Sequence, residues 1–131
     1  MIVTVDIADR KASWLKHLLT IAAWAGLCFV AYASLSPLRD RPTFPVSSNL
    51  EHLAAFAVCG ALFCLAYPRR TSAVLIFVLG CAALLEVLQI LTSDRHARTL
   101  DALQKVAGGA AGVLAGRAIL YLDRARSWFQ V

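Results

Sequence analysis

Eighteen consecutive residues, Leu18 to Leu35, carry no charge. At 1.5 Å per residue such a run makes a helix of about 27 Å, close to the hydrocarbon thickness of a bilayer. A chain of 131 residues is 60% hydrophobic and only 16% charged here. Soluble domains are typically about 45–50% apolar and about 25% charged. The mean hydropathy is +0.67. These values exclude an ordinary soluble globule and a disordered tail, which both need polar surface that this chain lacks.

Three further apolar runs follow the first. The pattern predicts helices over about residues 14–36, 50–67, 71–92 and 100–122. Ser36-Pro37 ends the first, because a residue before proline leaves the helical region. The segment 37–49 holds prolines 37, 42 and 45 and reads as a polar loop. Pro68-Arg69-Arg70 makes a short turn, and residues 93–99 make a second polar loop. Residues 1–13 and 123–131 read as mixed-charge termini outside the spans. The expected fold is all-α: an integral membrane bundle of four transmembrane helices in one domain, residues 1–131. A competing reading takes Lys16, Leu18 to Val30 and Ala31-Tyr32-Ala33 as a cleavable signal peptide, which would leave three helices.

The net charge is +5. The bases stand in short clusters between apolar runs and do not interleave with aromatics on a soluble face, so no nucleic-acid partner is expected. They read instead as topology signals. With four spans, one side holds Arg10, Lys11, Lys16, Arg69, Arg70, Arg117, Arg124 and Arg126. The other holds Arg39, Arg41, Arg95 and Arg98, with Lys105 just inside the membrane. The positive-inside rule then places both termini in the cytoplasm. The expected location is the bacterial inner membrane. Acids cancel the bases on the outer side, so the +5 belongs to the cytoplasmic side.

Cys28, Cys59, Cys64 and Cys81 all fall in apolar runs, with no C-x-x-C and no histidine at ligand spacing. They read as small buried hydrophobes, and no metal site or cofactor is expected.

The embedded polar residues gather toward the outer end. Glu51 and His52 open the second helix. Glu86 and Gln89 lie roughly 9 and 5 Å below the outer end of the third. Their i, i+3 spacing puts them on one face. Asp101 and Lys105 open the fourth helix and continue into Gly108, Gly112 and Gly116, a stripe that changes from charged to small. Glycines four apart let a second helix approach closely. In the second helix His52, Phe56, Cys59, Gly60 and Phe63 share a face. Arg117, in mid-helix, is expected to snorkel to the cytoplasmic surface.

Glu51, His52, Glu86, Gln89, Arg95, Arg98, Asp101 and Lys105 form the expected ligand-binding set. Guanidinium groups hold phosphate through paired donors. Glu86, Asp101 and His52 are the catalytic candidates, with Glu86 or His52 as general base. No H-E-x-x-H, G-x-S-x-G or P-loop accompanies them. Glu86 reads equally as a counter-ion for Arg95 or Lys105 that pins helices together, Gln89 as interhelical glue, and Asp101 as a cap.

Glu51-His52-x-x-Ala55-Phe56, Glu86-x-x-Gln89 and Arg95-x5-Asp101-x3-Lys105-x2-Gly108, preceded by Ser34-Leu35-Ser36-Pro37, together resemble the VanZ-like family of small bacterial membrane proteins. The resemblance runs over residues 30–116. The family pattern has Asp-Lys shortly before the histidine, where this chain has Ser48 and Asn49, and asparagine where it has Lys105. A base is thus absent at 49 and present at 105. The resemblance implies a multi-helix inner-membrane protein. It also implies an envelope context, since the founding member is associated with low-level resistance to a teicoplanin-type glycopeptide.

Three roles stay open on the sequence. An outer polar pocket would bind a lipid headgroup, an envelope precursor or an amphiphilic antibiotic. A membrane enzyme would act on a phosphate-linked lipid. A helix-packing subunit would use the glycine stripe against a membrane-protein partner.

Overall fold

No proline or glycine occurs between Ile2 and Ala25, so nothing in that stretch interrupts helical hydrogen bonding. The computed structural model has one helix, α1, over Ile2–Leu35. The charged segment expected to precede the first span is therefore its continuation. The structure describes the backbone of residues 2–36, 48–91 and 99–128, and the side chains of residues 10–36, 50–91 and 100–127. The expected loop at residues 37–49 and that at 93–99 fall largely outside the described residues. So do Arg39, Arg41, Asp94, Arg95, His96 and Arg98.

Three more helices follow: α2 over Ser48–Ala66, α3 over Thr71–Leu91 and α4 over Thr99–Trp128. α4 outruns its expected end at residue 122, again because no proline or glycine follows Gly116. The described residues are helical and contain no strand. Arg10–Leu35, Thr71–Leu91 and Leu100–Ser127 are each long and apolar enough to cross a membrane. The apolar part of α2, Leu50–Ala66, is shorter at 17 residues, or about 25 Å. The chain is an all-α membrane bundle of three such helices and one shorter apolar one.

The α2–α3 connection is tight because Pro68 presets its geometry. The Arg70 amide donates to the Tyr67 carbonyl at 3.0 Å, closing a four-residue turn with proline in its second position. The Val74 amide then donates to Arg70 O at 2.9 Å and starts α3.

α2 packs most extensively on α4. Glycine makes this contact. A Cβ on Gly108 would lie 2.2 Å from Leu53 O, one on Gly112 1.9 Å from Ala57 O, and one on Gly116 2.8 Å from Cys64 Cβ. From the other side, a Cβ on Gly60 would lie 2.5 Å from Gly109 O. Sequence numbers rise together along both helices, so α2 and α4 run parallel at backbone contact. Between lipid-facing helices no hydrophobic force favours association over lipid, so close van der Waals approach has to hold them.

α1 packs on α2 and α3, α4 packs on α2 and α3, and among the described residues α1 and α4 make no packing contact with each other. The α2–α3 pair therefore separates them. Trp24, Phe63, Phe77 and Tyr67 join α1, α2 and α3. Phe63 meets Trp24 edge-on at 5.3 Å and Phe77 at 5.2 Å. Trp24 Nε1 donates to Tyr67 Oη at 3.3 Å. Cys59 and Cys64 are buried and Cys81 half-buried, whereas Cys28 is exposed, against the expectation of four buried thiols. The cause is that α1 packs along one narrow face and leaves most of its surface outward.

Candidate functional site

The ends of α1 and α3 and the starts of α2 and α4 meet at one end of the bundle. Three of these helices are tied by polar groups. Lys105 Nζ donates to Glu86 Oε2 and to Gln89 Oε1, each at 2.7 Å. Gln89 Nε2 donates to the Ser34 carbonyl at 2.8 Å. The amide orientation of Gln89 is dictated by chemistry, because an ammonium only donates and a carbonyl only accepts. Gln89 thus links α4 to α1, the two helices that do not pack together.

Each partner has a local reason to be there. The i, i+3 spacing of Glu86 and Gln89 turns both toward α4. Lys105 stands one turn before Gly108, where α4 touches α2, and that contact carries its stem inside. Ser34 lies in the last turn of α1, whose carbonyls lack intrahelical donors. Ser36 satisfies Tyr32 O through its amide at 2.9 Å and its hydroxyl at 2.7 Å. Gln89 satisfies Ser34 O.

The network is largely buried. Lys105 is fully buried, and the Glu86 side chain is 13% exposed. Of the two counter-ions weighed for Glu86, Lys105 is its partner at 2.7 Å; Arg95 lies outside the described residues. His52 is buried at the start of the second turn of α2, and Phe56, Cys59, Gly60 and Phe63 on its face are buried with it. Glu51 and Asp101 are half-buried at the same end. Beside Lys105, Gln104 Oε1 is buried and has no hydrogen-bond partner among the described residues.

The expected set is therefore divided. Glu86, Gln89 and Lys105 come together as one ion-paired cluster. His52, Glu51 and Asp101 surround that end of the bundle. The places of Arg95 and Arg98 lie outside the described residues. Lys105 occupies Oε2 of Glu86, which leaves Oε1 as the oxygen that would take a proton. The glycine stripe packs against α2 of the same chain. Among the described residues no three His, Cys, Asp or Glu side chains come close enough to hold a metal ion.

Sequence reasoning missed the part of Ser34, because a backbone acceptor has no signature beyond the helix stop after it. It missed Gln104 as well, whose neighbour Lys105 drew the attention. Nor does the sequence show the partner of Arg117, whose Nη1 donates to Thr71 Oγ1 of α3 at 3.0 Å. Compared with known protein families, curated proteins and solved structures, the chain shows no significant match to any of them.

Proposed function

We propose that this chain is a VanZ-like protein of the bacterial inner membrane, with both termini cytoplasmic. On this reading its polar end faces outward and binds the polar head of an amphiphilic envelope molecule. The Lys105–Glu86–Gln89 cluster is the rigid floor of that site, and Glu51, Asp101 and Gln104 are its contact groups.

The observation that carries the reading is Gln104 Oε1, a buried acceptor without a partner among the described residues. Leaving such a group unsatisfied costs about 1–3 kcal/mol. A head carrying hydroxyl or amide donors would remove that cost. A lipid headgroup, a lipid-linked precursor and a glycopeptide antibiotic share this chemistry. Catalysis has no comparable observation in its favour. A second reading, a purely structural clamp, is favoured by the complete burial of Lys105 among acceptors of its own chain.

A photo-crosslinking residue at position 100, exposed beside Asp101, tests the proposal in living cells. The expected result is a discrete adduct with one envelope lipid or precursor, lost in Glu51→Gln/Asp101→Asn at unchanged protein level. Adducts that only mirror bulk phospholipid, alike in both proteins, would overturn the binding reading and leave the clamp.

A further inference from the structure

At the opposite end of the bundle the Pro68 turn sets Arg69 and Arg70 beside the start of α3. Arg117 of α4 reaches the same place and donates to Thr71 Oγ1 at 3.0 Å. Arg69, Arg70 and Arg117 all line one cavity of about 610 Å³ between α3 and α4. Binding pockets for small ligands typically span about 300–1,000 Å³. No Asp or Glu lines it. Among the described residues, none of the three arginines is in an ion pair. Arg117 uses one of its five N–H donors on Thr71.

Apart from Thr71 and Ser72, the rest of the wall is apolar. Leu75, Val113 and Leu114 continue the cavity along the α3–α4 groove. Its depth follows from the helices around it. α2 ends at Ala66 and α3 begins at Thr71, so Arg69 and Arg70 stand where apolar helix gives way to turn, and Arg117 reaches that level from within α4 through Thr71. That is the headgroup level of a bilayer. A threefold positive cavity there, continuing into an apolar groove, matches a molecule with an anionic head and a hydrocarbon tail.

We propose that this cavity binds an anionic phospholipid, its phosphate on Arg69, Arg70 and Arg117 and an acyl chain against Leu75, Val113 and Leu114. Guanidinium groups favour phosphate through paired, charge-assisted donors. Basic pockets between membrane helices select anionic heads in this way. The site is separate from the polar end and stands whether or not that end binds a ligand.

The test uses the full chain purified in a neutral detergent and titrated with phosphatidylglycerol, phosphatidylcholine or inorganic phosphate. Bound lipid is counted by native mass spectrometry. Phosphatidylglycerol is expected to bind at least tenfold tighter than phosphatidylcholine. Arg69→Gln/Arg70→Gln, neither of which disturbs the Arg117–Thr71 bond, is expected to weaken phosphatidylglycerol about thirtyfold, at about fivefold per base. Arg124→Gln/Arg126→Gln removes the same charge from the α4 tail outside the cavity, and a change under threefold is expected. Equal affinity for the two lipids, or equal losses in the two variants, would overturn the site. Displacement of phosphatidylglycerol by an equal concentration of inorganic phosphate would overturn the lipid in favour of a free anion.

Discussion

Replacing Lys105 by methionine takes the only ammonium out of the α1–α3–α4 cluster. Glu86 Oε2 and Gln89 Oε1 then lose donors that stood 2.7 Å away. Two magnitudes compete. A neutral hydrogen bond between membrane helices contributes about 0.6 kcal/mol on average. Stranding one partner of a buried ion pair costs about 3–5 kcal/mol. Lys105 is fully buried and Glu86 only 13% exposed, so the second governs. Lys105→Met is expected to lose about 3 kcal/mol, the low end, because Glu86 keeps some access to water. Glu86→Leu alone strands the ammonium and is expected to lose about 4 kcal/mol. The double variant strands no charge. It leaves only Gln89 Oε1 short of a donor and is expected to lose about 1–2 kcal/mol. The double-mutant cycle therefore predicts a coupling of several kcal/mol. Reversible unfolding in mixed micelles with rising dodecyl sulfate, followed by far-ultraviolet circular dichroism, measures all four proteins. A Lys105→Met protein within about 1 kcal/mol of the parent, or single losses that simply add, would refute the ion pair as the tie between these helices.

Further outcomes follow from the same geometry. Gly112→Ala places a Cβ 1.9 Å from Ala57 O and should lose at least about 2 kcal/mol. Gly80→Ala meets nothing within 4 Å and should gain up to about 1 kcal/mol from helix propensity; equal behaviour in the same titration would argue against the α2–α4 contact. Gln89→Leu gives up the bonds to Lys105 Nζ and Ser34 O, the first of them charge-assisted, while Lys105 keeps Glu86; it should lose about 2 kcal/mol, less than Lys105→Met, and the reverse order would place the tie on the amide. Phe63→Ala empties a fully buried ring site and should lose about 3 kcal/mol, with the near-ultraviolet signal of Trp24 reduced. A reporter fused after Val131 should read as cytoplasmic, and an external signal would reverse the proposed orientation.

How much of this was legible in the sequence differs from element to element. The four apolar runs, Pro37 and Pro68 place the helices to within a few residues where a breaker stands. They fail at residues 2–13 and 123–128, where charge alone was read as an end. Charge does not stop a helix; lack of an amide or loss of side-chain constraint does. The i, i+3 pair Glu86 and Gln89 and the four-residue period of Gly108, Gly112 and Gly116 are local patterns, visible without any neighbour. Their partners are not. Leu53, Ala57 and Cys64 on α2 carry no mark that a glycine helix lies against them.

The one-dimensional pattern determined what a lipid solvent demands: uncharged runs long enough to satisfy their own backbone as helices, and bases gathered at the turns. Tertiary structure decided which polar groups meet. Parallel contact of α2 and α4 seats Lys105 against Glu86 and Gln89, and the same seating brings Gln89 to a bare carbonyl at the end of α1. The Pro68 turn and the depth of Arg117 open a basic cavity that the sequence shows only as scattered arginines. The physical reason is range. Hydrophobicity and helix propensity act within a few residues, whereas these bonds join positions 16, 19, 46 and 55 residues apart, and only the packing of whole helices sets those distances.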